Sequence, residues 1–444
     1  MNTILIKNGK IVNENKVFEA DIYIKNGKIE LIADNIDKIA DKVIIAEGKF
    51  IIPGIIDDQV HFREPGQEYK ADIASESLAA LYGGVTSFMD MPNNNPPILT
   101  QEVLENKFDI AKNKSIINYS FYMGTSNDNL DEIMRTDIEN VCGVKIFMGS
   151  STGNLLVDDE KTLENIFSKS PALIATHCED ETTIVNNNKY YFENFGDDIS
   201  TEYHPKIRSE KACYLSSSFA VNLAQKHNTR LHVLHLTTAK EMSLFRNDIP
   251  LEQKRITAEV CVHHLYFDES YYAALGNKIK CNPAIKSKND KDMLWKALLE
   301  NKLDVIATDH APHTIEEKNL RYKEAPSGLP LVQHSLNLML EFYQKDMISM
   351  EKIVEKMCHN PAIAFKIKDR GYIREGYWAD IAILDPNKTW KITQDNILYK
   401  CKWSPLEGHS FKGKIETVLV NGKISLEKGV FTNIKAGKRL SFRS

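Results

Sequence analysis

Two grammars of hydrophobic spacing divide the chain. From Asn2 to about Phe50, short β-rich runs ("ILIKNGKIV", "FEADIYIKNGKIELI", "KVIIAEGKFII") are separated by Asn-Gly and Glu-Gly turns, the usual hairpin signals. These first fifty or so residues predict antiparallel sheet. Near the other end, "GYIREGYWADIAILDPN" and "KIETVLVNGKISLEKGVF" repeat the style, with the same Asn-Gly-Lys-Ile tetrapeptide at Asn8 and at Asn421. The two terminal segments, 1–52 and 370–444, together predict one small β-sandwich domain. Between them, over residues 53–369, apolar strands alternate with longer helical stretches, which predicts a parallel sheet with crossover helices. The strand candidates are "IIDDQVHF", "VTSFMDM", "INYSFYM", "GVKIFM", "ALIATHC", "RLHVLHL", "RITAEVC" and "LDVIATD". Eight such units predict an α/β protein with a (β/α)8 TIM-like barrel, whose reactive groups gather at the C-terminal strand ends. The crossover between His177 and Arg230 is the longest, and "IVNNNKYYFENFGDDIS" within it reads as an irregular excursion.

Composition narrows the class. The 444 residues are 42% hydrophobic and 26% charged, enough for a large core, and the net charge of -5 offers no bulk attraction to nucleic acid or anionic lipid. Any anion must therefore be held by a local basic group. Seven scattered cysteines, none spaced Cys-x-x-Cys, predict reduced thiols in the cytoplasm. The start "MNTILIKNGK" lacks a signal-peptide core, and no apolar run approaches the ~20 residues that span a bilayer. A soluble, cytoplasmic protein with a small-molecule substrate, no nucleic-acid or membrane partner and a dimeric or tetrameric homo-oligomeric state is expected.

The strand ends carry the chemistry. Counting in twos along "GIIDDQVHFREPG", Asp57, Gln59, His61 and Arg63 share one face. A lone histidine is more often a packed or surface group, but His61, His177 and His235 end three strands that converge on one barrel mouth, where neutral imidazoles suit a zinc-like ion. His232, three residues before His235, faces the other way as a packed histidine; His227, His334 and His409 lie in helical or loop contexts. Lys145, between Val144 and Ile146, either pairs with a carboxylate or has reacted with CO2 to a carbamate that can bridge two metals. Asp309, opening "DHAPH", reads either as a turn with a helix cap or as a metal ligand that also accepts a proton from water. His313 is near enough to reach substrate. Arg63 offers a planar fork to a carboxylate, Asn93 follows the second strand, and Asn282 in "KCNPAIKS" is a polar contact or a plain turn residue.

"DDQVHFREPG", "MPNNNPP", "GVKIFMG", "THCE", "LHVLHLTT", "CNPAIKS" and "ATDHAPH", in this order over nearly the whole chain, resemble the dihydroorotases of the amidohydrolase superfamily. The resemblance implies a barrel beside a β-sandwich built from both termini. It also implies that Lys145 is carboxylated, that His177 and His235 hold one Zn2+ and His61 and Asp309 another, and that Asp309 is the catalytic acid/base. Arg63, Asn93 and His313 would bind the substrate carboxylate, with Asn282 and the Ser327–Gly328 backbone near the ring. The implied reaction is reversible hydrolysis of dihydroorotate to carbamoyl-aspartate in pyrimidine synthesis. The chain departs from the pattern where the family has His-x-His, for here stands Gln59-Val60-His61. Either that metal site is loosened or empty, leaving one ion, or Gln59 holds an ion or a water through its weak carbonyl donor. Two competing readings are a hydantoinase- or allantoinase-like hydrolase and a catalytically silent scaffold for a partner such as a carbamoyltransferase. "GSSTGNLLVDD" is a candidate lid.

Overall fold

The computed structural model describes residues 3–149 and 155–444; five residues of the candidate lid, 150–154, lie outside that part. Eight parallel strands are hydrogen-bonded in sequence order into one sheet. With the five N-terminal strands counted first, these are β6 (Ile55–Val60), β7 (Val85–Asp90), β8 (Asn118–Gly124), β9 (Gly143–Phe147), β10 (Ile174–His177), β11 (Leu231–Val233), β12 (Ile256–Cys261) and β13 (Val305–Ala307). A parallel bridge between Val60 and His310, with the His61 N–H donating to the His310 carbonyl at 2.7 Å, brings the last strand back to the first. The predicted barrel is thus present.

Side chains of five of these strands (Ile56, Met89, Tyr122, Ala175 and Val305) join Phe365 in one buried cluster inside the barrel. Outside it, helices such as Ile73–Tyr82 and Gln101–Lys114 bury their apolar stripes on the strands in the main core. Both start on side-chain caps, Asp72 and Thr100, that satisfy backbone donors the helix cannot.

The terminal segments form a second sheet of nine strands. It comprises β1 (Thr3–Asn13), β2 (Lys16–Lys25), β3 (Lys28–Ala33), β4 (Lys42–Ile45) and β5 (Phe50–Pro53) from the start, with β14 (Ile381–Lys391), β15 (Ser410–Val420), β16 (Lys423–Glu427) and β17 (Val430–Phe431) from the end. The expectation of wholly antiparallel pairing needs correction, because β1 pairs antiparallel with β2 but parallel with both β4 and β5. The chain between Ala33 and Lys42 carries it back to start β4 in the same direction as β1, which a two-residue turn cannot do.

The excursion after His177 is also regular. Glu181–Phe195 is an α-helix, capped by the Asp180 carboxylate on the Thr183 N–H and ended at Gly196, φ +79°. Its three consecutive asparagines hid the helix, since their propensity is poor; packing of Ile184, Tyr191 and Phe192 against Ile199, Ile207 and Tyr322 overrides it. All seven cysteines are free thiols, and six are buried.

Candidate active site

A cavity of about 320 Å³ opens at the C-terminal mouth of the barrel, lined by every site residue read from the sequence. The strands stop short of several of them. His61 follows β6 by one residue, and His235 and Asp309 lie two beyond β11 and β13. Arg63, His235 and Asp309 take positive φ of +68°, +38° and +47°, left-handed backbone that ordinary side chains avoid and that surrounding contacts must enforce. The shared face counted from Asp57 is broken: the register of β6 on β7 shifts between Asp57 and Val60. Asp57 consequently bonds Thr308 Oγ1 at 2.6 Å and is absent from the cavity wall, while Gln59, His61 and Arg63 line it.

On one side of the mouth, the His177 and His235 rings meet edge to face with centroids 4.7 Å apart. Paired with the Glu179 carboxylate at 2.9 Å, His177 Nε2 carries the proton, so Nδ1 presents a lone pair to His235 Nε2 at 3.0 Å. Burial works against the Glu179 charge, but the Arg208 guanidinium and His177 outweigh it and hold this carboxyl at about 2. Burial keeps both imidazoles neutral, with mutual repulsion and Lys145 adding to it at His235. The His235 backbone N–H is held by Glu259 Oε1 at 2.9 Å.

Lys145, on β9, lies over the Phe147 ring at 4.7 Å, and among the described residues no carboxylate forms an ion pair with it. Burial pushes its ammonium down to about 7, so near neutral pH a large share is free amine.

Opposite, His61 bridges two groups, with Nδ1 2.7 Å from Asn93 Oδ1 and Nε2 3.1 Å from Asp309 Oδ1. The Gln59 amide Nε2 also donates to that oxygen at 3.2 Å, and its carbonyl is turned to the Cys261 thiol at 3.8 Å. Two neutral imidazoles, an amine without an ion pair among the described residues and a second imidazole–carboxylate couple, with Glu179 orienting the first histidine, are donor chemistry that fits a divalent ion. Cys261–His263–His264 and Asp58–His232–Glu259 also group ligand atoms within 4.8 Å, but neither trio lines the cavity.

The outer wall is cationic. The Arg63 Nε–H donates to the Pro312 carbonyl at 3.1 Å, and its Nη2 lies 3.0 Å from His313 Nε2. Asn282 lines the site, and its buried Oδ1 has no hydrogen-bond partner among the described residues. Gly328 is indispensable there: at φ +135°, a Cβ would meet the Ala311 carbonyl at 2.5 Å. Its N–H is already given to the Lys280 carbonyl at 2.9 Å, so of that backbone pair only Ser327 has a carbonyl on the His313 ring. Lys70 and Gln67 also line the cavity and were not read from the sequence; their only signal was nearness to Arg63.

An Amidohydrolase family model matches residues 50–425. The chain belongs to the amidohydrolase family. This amidohydrolase is 31% identical to the dihydroorotase of Methanosphaera stadtmanae, over 97% of this chain and 98% of that protein. It is 32% identical to that of Carboxydothermus hydrogenoformans, over 96% and 98%. Among solved structures, the L-hydantoinase (dihydropyrimidinase) of Arthrobacter aurescens superposes with a TM-score of 0.94 at 26% identity, covering 99% and 100% of the two chains. The dihydropyrimidinase of Brevibacillus agri NCHU1002 has the same fold, with a TM-score of 0.89 at 23% identity and full coverage of both chains. Like these proteins, this amidohydrolase is a hydrolase built on a barrel with an appended sheet, and among its described residues no helix is long and apolar enough to cross a membrane.

Proposed function

We propose that this amidohydrolase is a dihydroorotase, a zinc-dependent enzyme that reversibly hydrolyses the cyclic amide of dihydroorotate to carbamoyl-aspartate in pyrimidine synthesis. One observation carries the choice of substrate: Arg63, His313 and Asn93 stand together on the cavity wall, a cluster suited to a carboxylate, with Asn282 beside them.

His177, His235 and a carbamate on Lys145 would hold one metal, with His61 and Asp309 toward a second. The free Lys145 amine adds to CO2 and releases one proton, turning a buried neutral group into a two-oxygen anion. A bound divalent ion would lower the pKa of a water and polarise the ring carbonyl. The protein does the rest. Arg63 and Asn93 fix the carboxylate so that the amide carbonyl is presented to the water, a gain from positioning. Asp309 accepts the water proton at Oδ1 and returns it to the departing ring nitrogen. Gln59, whose amide N–H already donates to Asp309, orients that carboxylate.

Purified protein supplied with zinc and bicarbonate is expected to hydrolyse dihydroorotate, and Asp309→Asn to lose roughly 10²–10⁴-fold in kcat while keeping its thermal midpoint. Arg63→Ala is expected to raise KM for dihydroorotate at least tenfold, the scale of one lost charge-assisted contact, at roughly 1.4 kcal/mol per decade. A hydantoin turned over faster than dihydroorotate, with Arg63→Ala harmless, would hand the site to the hydantoinase reading.

A further inference from the structure

His313 is placed between two cations, and that arrangement determines which of its nitrogens holds the proton. Lys70 Nζ lies 3.0 Å from Nδ1, while Nε2 has Arg63 Nη2 and the Ser327 carbonyl oxygen each at 3.0 Å. Burial and the Arg63 charge keep the ring neutral, so it carries one N–H. An ammonium has no lone pair and can only donate. A proton on Nδ1 would point straight at Lys70, and the nearest carboxylate oxygen, Glu317 Oε2, is 3.6 Å away, beyond a good hydrogen bond. With the proton on Nε2 both ends are satisfied: Nδ1 accepts from Lys70, and Nε2–H donates to Ser327. Lys70 itself is fixed, 8% exposed and ion-paired with Glu317 Oε1 at 3.0 Å.

The consequence falls on Arg63. If Nε2 bore a lone pair, it would accept from Nη2 and use up a donor. Protonated, Nε2 gives its N–H to the Ser327 carbonyl and takes nothing from the guanidinium 3.0 Å away, so the Arg63 Nη2 donors stay unspent for a substrate carboxylate. We propose that Lys70 is a positioning residue that sets the His313 tautomer and so makes the cavity selective for cyclic amides bearing a carboxylate. This deepens the dihydroorotase reading and rests on it.

The test uses the full-length protein with 15N-labelled histidine and two ligands, orotate, which carries the carboxylate, and uracil, which lacks it. Long-range 1H–15N spectra should give the Nε2–H pattern for His313 in the wild type and an Nδ1–H or mixed pattern in Lys70→Met; Lys70→Gln replaces it should the first variant not fold. Calorimetric Kd for orotate should rise roughly tenfold to a hundredfold in the variant, the scale of a lost charge-assisted hydrogen bond, while Kd for uracil moves less than threefold. An unchanged tautomer, or equal losses for both ligands, overturns the proposal. Wild-type protein that binds orotate no better than uracil overturns the dihydroorotase reading instead, before any variant is made.

Discussion

Beneath the cavity, His232 is wholly buried with Nε2 3.1 Å from Asp58 Oδ2 and 3.5 Å from Glu259 Oε2, while Nδ1 donates to Thr257 Oγ1 at 2.7 Å. Burial alone would keep the ring neutral, but the two carboxylates lift it to about 9. The folded-state value exceeds the unfolded one of roughly 6.5, so this group's stabilisation is complete below about pH 6.5 and disappears as pH rises through 9. Urea midpoints are expected to fall over that window in the wild type and to lose that component in His232→Gln. The same variant leaves two carboxylates buried without their cation, a loss of about 3–5 kcal/mol by denaturant titration. Sequence spacing placed His232 away from the histidines that line the cavity, but did not show it as charged, because its partners come from β6 and β12, far away along the chain.

Loops carry the site more than strands do. "REPG" and "NNNPP" meet where the Asn95 N–H donates to the Pro65 carbonyl at 3.2 Å and Gly66, at φ +95°, leaves its missing Cβ 1.8 Å from the Asn95 carbonyl oxygen. Gly66→Ala must part these loops, which carry Arg63 and Asn93. It is expected to raise KM for the carboxylate substrate several-fold and to lower stability by roughly 1–3 kcal/mol, read from steady-state kinetics beside thermal melts. The barrel strands were legible because apolar runs with polar ends form a local pattern. What escaped depended on tertiary contacts: the helix around Asn186–Asn188, made by packing; the register shift that removes Asp57 from the wall; and Lys70, whose role exists only because His313 comes 243 residues later. Gln59 was visible as a departure, but the contact of its amide with Asp309 joins positions 250 residues apart and has no local signal.

At the scale of the whole molecule, the terminal sheet is joined to the barrel at one buried polar knot. Asp380 accepts from Asn118 Nδ2 at 3.1 Å and from the Asn421 N–H at 2.7 Å, and it pairs with Arg370, which in turn donates to Asn421 Oδ1 at 2.7 Å. Asn118 belongs to barrel strand β8, Asp380 directly precedes β14, and Asn421 closes the turn after β15. Asp380→Ala strands the Arg370 cation in the interior and is expected to cost about 3–5 kcal/mol, seen as a fall in the thermal midpoint with the sheet and barrel still melting together. The two ends of the chain are therefore part of one cooperative body, since β5 lies between β1 and β14 in the sheet.

That cooperativity gives the six interior thiols a collective behaviour. Burial raises the pKa of each of them, from Cys142 to Cys358, so the nucleophilic thiolate is scarce while the fold is closed. Burial raises the partly covered Cys401 thiol as well, and a molecule that opens once exposes all of the thiols together. Chemical damage to this enzyme is accordingly an all-or-none event, paced by unfolding and not by the reactivity of any one sulfur.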